Sequence, residues 1–340
     1  MSRTLCSHKP TKQICPVHRH HIGHYERNGR FLISYEKLFH YLKENNISKT
    51  AFAEGIGISS ATMAKLSKNE TVSLTVIIDI CNYFHCQPGD IMENLDEVKE
   101  DSLLHIFREE KEHKIKGGIY HQTQVQLAYN SNHMEGSTLS EEQTRYIYET
   151  NTIGLENTVS RVTDIIETVN HFDAFDFIIE HATDSISEDF IKKVHSILKC
   201  HTEDAKLDWF RVGEYKARPN SVGGRETVAP ELVETEMKKL ISAYHKKLQK
   251  TFQDLLEFHV RFEEIHPFQD GNGRVGRLIL FKECLKYNFV PFIIFDDKKL
   301  FYYRGLREYR NDTSYLTDTC LSFQDEYKNV LRYFKIKVTS

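Results

Sequence analysis

Positions 266 to 277 read His-Pro-Phe-Gln-Asp-Gly-Asn-Gly-Arg-Val-Gly-Arg and concentrate more chemistry than any other stretch of the chain. His266 is a titratable base, Asp270 a hard oxygen ligand, and Arg274 and Arg277 stand three positions apart. Gly271 and Gly273 flank Asn272 and leave the backbone free to turn its N–H groups toward an anion. Guanidinium groups bind phosphate oxygens bidentately. Mg²⁺ binds through one or two carboxylates together with substrate phosphates, which suits Asp270. His266, with an unperturbed pKa of about 6.5, accepts a proton from a hydroxyl nucleophile. Together these residue types can hold and attack a polyphosphate.

Such a loop needs an element on each side. Val275, Leu278, Ile279 and Leu285 recur at three- and four-residue intervals, predicting a helix over 274–286 whose N-terminal dipole faces the loop and whose first turn puts both arginines on one side. Leu255 to Ile265 is the helix leading in. No Gly-x-x-x-x-Gly-Lys-Ser/Thr stretch occurs, which excludes a P-loop kinase or GTPase.

The pattern His-x-Phe-x-Asp-Gly-Asn-Gly-Arg-x-x-Arg is met without a departure and resembles the signature of the Fic family, whose members transfer AMP from ATP to protein hydroxyls. The resemblance implies His266 as base, Phe268 as a buried anchor, Asp270 as the Mg²⁺ ligand, and Gly271, Asn272 and Gly273 on the phosphates with Asn272 near the α-phosphate. Arg274 and Arg277 would clamp the β and γ positions. It covers about 220 residues, from Ile119 onward. Ser131 to Gly136 further resembles the inhibitory helix of some Fic proteins, here expected at about 122–136, with Glu135 paired to Arg277 where the γ-phosphate would go. Its bland reading is an ordinary helix closed by Gly136, a good residue for a helix end. Gly223 and Gly224, with alternation over 222–228, permit a short hairpin where the family carries a flap that pairs with the target segment. The run from Tyr302 to Leu306 resembles the adenine-side helix, but Arg310 stands where many relatives have asparagine, which leaves the nucleotide open.

Residues 34–95 read as a small helical module. Leu38, Phe39 and Leu42 share one face, Ser48 is an N-cap candidate, Gly57 breaks the chain, and a second short helix starts at Ser59 or Ser60. Helix, short glycine-bearing turn, helix is the helix-turn-helix arrangement. The stretch resembles Cro/C1-type repressor domains, and the resemblance implies that Ser60, Thr62, Lys65 and Lys68 face DNA. The alternative is a helical bundle that binds a protein. Charge leans the same way as DNA: residues 1–95 carry 11 Lys+Arg against 8 Asp+Glu, whereas the remainder carries 34 against 41.

Cys6, His8, Cys15 and His18 are possible zinc ligands, but their order matches no structural zinc pattern, and residues 1–33 are expected to form a mobile tail. Residues 96–118 are expected as a charged linker, and His171, His181, His195 and His201 as surface or core histidines. The seven cysteines, an odd number without a Cys-x-x-Cys pair, fit free thiols. With 40% hydrophobic and 28% charged residues, no membrane-length apolar run and no signal-peptide stretch, the expectation is a cytoplasmic protein.

The expected fold is mainly α: a helix-turn-helix bundle followed by an α-helical Fic core (119–340) with a small β-hairpin flap. The expected function is transfer of AMP from ATP, with Mg²⁺, to a Ser, Thr or Tyr hydroxyl of a target protein or of the protein itself, restrained by Glu135. UMP transfer, AMP removal, or a mainly DNA-binding transcriptional regulator remain as alternatives. The partners expected are a target protein, DNA through 34–95 and a second copy in a homodimer.

Overall fold

The computed structural model describes residues 33–45, 47–94, 102–153, 160–247 and 249–336, and divides into two compact units at residue 96. The expectations for Cys6, His8, Cys15 and His18 lie outside the described residues.

In the first unit, β1 (Ile33–Ser34) precedes α1 (Glu36–Glu44), α2 (Lys49–Ile56), α3 (Ser60–Ser67), α4 (Leu74–Phe84) and α5 (Pro88–Ile91), and β2 (Glu93–Asn94) closes antiparallel on β1. Three starts are capped by serine. Ser48, Ser59 and Ser73 each accept a hydrogen bond from a backbone N–H three residues on, which satisfies an orphan donor of the first turn. Gly57 closes α2 at φ 72°, a conformation that a Cβ disfavours. Tyr35, Leu38, Leu42, Phe52, Leu66, Ile77 and Ile80 then bury as one core.

The second unit runs α6 (Leu103–Glu112), α7 (Ile119–Met134), α8 (Glu141–Thr150), α9 (Val162–Glu180), α10 (Glu188–Lys199), the hairpin β3 (Ser221–Val222) and β4 (Arg225–Glu226), α11 (Pro230–His245), α12 (Phe252–Ile265), α13 (Asn272–Lys286), α14 (Lys299–Glu308) and α15 (Ser314–Tyr333). The fold is mainly α, with helices packed on helices around a main apolar cluster and two smaller ones beside it. Helix α13 lies in the main cluster, burying Val275, Leu278, Ile279 and Phe281 against α9, α10 and α12. It is buried all round, as a central helix must be.

The segment expected as a linker differs. Glu109 and Glu112 are exposed, but Leu104 and Phe107 of α6 sit in the main core, Phe107 against Phe175 and Phe281, so α6 is a layer of the second unit. The hairpin forms where alternation allowed it. Gly223 and Gly224 both take positive φ, at 57° and 79°, the pair that a tight two-residue turn with the native strand twist requires.

Candidate active site

Helix α12 begins with a capping box between Thr251 and Asp254 and ends at His266, whose backbone turns left-handed at φ 51° while its N–H still bonds Phe262 O at 2.9 Å. That turn throws the imidazole off the helix end. Burial pulls its pKa down to about 4, and the Lys216 ammonium nearby adds to the shift, so the ring is neutral at pH 7. Lys216 Nζ donates to Asn220 Oδ1 (2.7 Å), Thr227 Oγ1 (2.6 Å) and Ile265 O (3.3 Å), tying the base of the hairpin to the loop.

The loop is rigid for identifiable reasons. Phe268 is fully buried and stacks face to face on His195, with ring centroids 3.9 Å apart. His195 Nδ1 accepts from Gly213 N at 2.9 Å, which puts the ring proton on Nε2, and Nε2 donates to Asp270 O at 3.1 Å. The Asn272 side chain accepts from Phe268 N at 2.7 Å and donates to Phe268 O at 2.8 Å. Its amide therefore clips the loop shut with its oxygen and one of its two N–H groups. Gly271 takes φ 80° as the residue before α13. Gly273 is helical instead. It needs space rather than conformational freedom, because a Cβ there would collide with Glu135 Oε1 and stand 2.7 Å from Arg277 Nη1.

The charged side chains converge on that helix start. Asp270 Oδ2 lies 2.7 Å from Lys199 Nζ and 3.0 Å from Arg274 Nη2. Burial alone would raise the Asp270 carboxyl, but Arg274 and Lys199 overcome it and hold it well below the carboxylate range. Arg274 Nη1 is 2.7 Å from Glu167 Oε2 of α9, and Arg274 Nε has no hydrogen-bond partner among the described residues. Arg277 Nε donates to Ser131 Oγ at 3.0 Å and Nη2 to Ser131 O at 3.0 Å, and Nη2 stands 2.7 Å from Glu135 Oε1. Burial pushes the Glu135 carboxyl up, yet Arg277 and Arg274 bring it below its usual value, so it is ionised. Gly136 follows at φ 91° and ends the chain's run along α7, fixing the angle at which Glu135 reaches over Gly273.

The structure thus brings together His266, Asp270, Gly271, Asn272, Gly273, Arg274, Arg277, Ser131, Glu135 and Gly136. Glu167, Lys199, His195 and Lys216 join them, and no sequence signal singled these out. The side chains fit a Mg²⁺ nucleotide: Asp270 is 46% exposed, and Arg274 Nε is a buried donor without an acceptor. Arg310 is engaged elsewhere, with Nη1 2.8 Å from Glu257 and Nη2 2.7 Å from Glu264 of α12. In the first unit, Ser60, Lys65 and Lys68 are exposed, while Thr62 is partly buried with its hydroxyl 3.0 Å from Ser59 Oγ.

His266 at the end of α12 and the carboxylate and arginines at the start of α13 therefore lie in one neighbourhood of the fold. Residues 185–283 match the family model described as Fic/DOC family, and residues 37–97 match that of the Cro/C1-type HTH DNA-binding domain. Residues 185–283 thus match a Fic domain and residues 37–97 a Cro/C1-type helix-turn-helix domain, in the order that the sequence suggested. It is 26% identical over 198 residues to the protein adenylyltransferase Fic of Nematostella vectensis, covering 56% of this chain and 43% of that protein. Over 233 residues it is 24% identical to the Drosophila melanogaster protein of the same name, covering 64% and 45%. The chain thus spans under half the length of these curated relatives. In fold it resembles a Fic-domain signaling protein from Bacteroides thetaiotaomicron (TM-score 0.53, 24% identity, 68% of this chain and 94% of that one) and Fic-1 from C. elegans (TM-score 0.51, 16% identity, 87% and 97%). No helix among the described residues is long and apolar enough to cross a membrane.

Proposed function

We propose that the chain transfers AMP from ATP to a Ser, Thr or Tyr hydroxyl of a protein, itself included, and that Glu135 restrains this transfer. The observation that carries the reading is the neutral His266 at the end of α12, held beside the α13 N-terminus where Asp270, Arg274 and Arg277 converge. His266 takes the hydroxyl proton as the oxygen forms its bond to the α-phosphorus, and the bond from that phosphorus to the pyrophosphate oxygen breaks. Arg274 and Arg277 neutralise charge on the departing pyrophosphate. Mg²⁺, which Asp270 would hold, supplies Lewis-acid neutralisation of the phosphates when bound. The exposed β3–β4 hairpin offers backbone to an extended target segment, so it can present a hydroxyl without strict side-chain choice.

Glu135 sits where an anion on Gly273 and Arg277 would sit, which supports restraint rather than an idle helix end. In the reverse direction Glu135 would orient water for AMP removal, so both directions belong to one assay. The match of residues 37–97 to a helix-turn-helix model supports a second role in DNA binding, which we extend to a homodimer acting near the protein's own gene.

The test is self-labelling of the full chain and of Glu135→Gly with α-labelled ATP, γ-labelled ATP and α-labelled UTP. Label from α-labelled ATP alone, lost in His266→Ala while ATP still binds, is expected. Label from γ-labelled ATP would replace nucleotidyl by phosphoryl transfer, and preference for UTP would move the base specificity.

A further inference from the structure

Lys199 is the last residue of α10, and its side chain is 0% exposed. Its ammonium stands 2.7 Å from each of three carboxylates on three separate segments: Glu167 Oε1 of α9, Asp204 Oδ2 beyond α10, and Asp270 Oδ2 of the active loop. An ammonium has three donors and no acceptor, so this site saturates it one donor to one acid. The three acids each offer an oxygen within 4.8 Å of the others, the spacing of a cation site, and the centre of that site is Nζ. Arg274 adds a second positive charge from the other side, to Glu167 and Asp270. Three carboxylates against two fixed cations leave one negative charge; without Lys199 they would leave two.

We propose that Lys199 is a positioning residue, a built-in cation that fills the acidic cluster in place of a divalent ion and holds the Asp270 carboxylate to the loop. The proposal rests on the reading of Asp270 as the metal-binding carboxylate. With Nζ in place, Asp270 Oδ2 is committed to Lys199 and Arg274, and the protein by itself retains no divalent ion. Mg²⁺ is then held only together with nucleotide phosphates, which couples metal arrival to substrate arrival. Replacing Lys199 by the similarly long but neutral methionine should turn Glu167, Asp204 and Asp270 into a divalent site that needs no nucleotide.

The experiment titrates Mn²⁺ into the full chain without nucleotide, by calorimetry and by thermal unfolding. Wild type should show no saturable binding below the millimolar range and no shift in Tm. Lys199→Met should bind one Mn²⁺ at least tenfold more tightly, with a rise in Tm, and Lys199→Met/Asp204→Asn should lose that gain because one of three ligands is gone. A folded Lys199→Met with wild-type Mn²⁺ affinity would overturn the proposal, as would tight nucleotide-free binding by wild type. If Lys199→Met does not fold without metal, Mn²⁺ during expression must recover it, and failure to recover counts against the proposal. Because no transfer is measured, these outcomes are separate from whether the protein adenylylates anything.

Discussion

Replacing Glu135 by glycine removes one partner of an ion pair whose other member, Arg277, is only 4% exposed, while Glu135 itself is 31% exposed. Two unit charges about 4 Å apart attract by ~4 kcal/mol at an effective dielectric near 20. The partial exposure of Glu135 reduces this, and so do the two Ser131 hydrogen bonds that Arg277 retains in the variant. The hold of Glu135 on the anion site then comes to about 2–3 kcal/mol, or roughly 30- to 150-fold in the affinity of a competing phosphate. Glu135→Gly should bind ATP more tightly by that factor in calorimetry and label itself more strongly from α-labelled ATP than wild type. It should lose any AMP-removing activity. Without ATP it leaves a buried guanidinium uncompensated, so its Tm should fall below wild type and rise further than wild type's when ATP is added. Adding His266→Ala should keep the gain in binding and abolish the labelling. Equal ATP affinity and equal labelling of wild type and Glu135→Gly at saturating ATP and Mg²⁺ would refute the reasoning and leave residues 131–136 as a helix end.

Since His266 must be neutral to accept a proton and burial lowers its pKa to about 4, the transfer rate should stay flat from pH 8 downward and fall only as pH drops through about 4; an acid limb near pH 6.5 would mean an ordinary, solvated imidazole. Burial also lowers His171, His195 and His259, each to about 3, so between about pH 6.5 and 3 the unfolded chain binds protons that the native chain does not. Each should remove about 1.4 kcal/mol of stability per pH unit as pH falls through that window, and urea unfolding at pH 7 and pH 5 reads the sum. Lys65→Ala and Lys68→Ala, both changes at exposed positions, should each weaken DNA binding in a mobility-shift assay and lower the salt slope by about 1, and a wild type that ignores its own promoter at low salt would instead favour a protein partner. Gly305→Ala drives a Cβ to 2.7 Å from the Leu316 backbone where α14 crosses α15, and should cost about 1–3 kcal/mol in thermal unfolding, whereas Gly89→Ala, with nothing within 4 Å, should not.

The sequence by itself determined whatever is local along the chain. The loop from His266 to Arg277 is contiguous, so its imidazole, carboxylate, glycines and arginines could be read together, and the structure sets them around the α12 end and the α13 start. The Ser48 cap, the Gly57 break and the start at Ser59 or Ser60 placed α2 and the beginning of α3 within a residue or two, and paired glycines with alternation placed the hairpin, because these are choices made by neighbouring dihedrals. Tertiary structure decided what depends on packing between distant segments. Lys199 meets Asp270 across 71 positions and His195 meets it across 75, and neither residue type carries a local mark of such a partner. The charged pattern of residues 96–118 gave no sign that Leu104 and Phe107 would be buried, since two apolar residues on a polar helix suffice once a core faces them. Gly273 looked like a turn glycine and proved to be a space for the Glu135 carboxylate, a distinction that exists only when α7, 142 positions before Arg277 at its glutamate, is laid against α13.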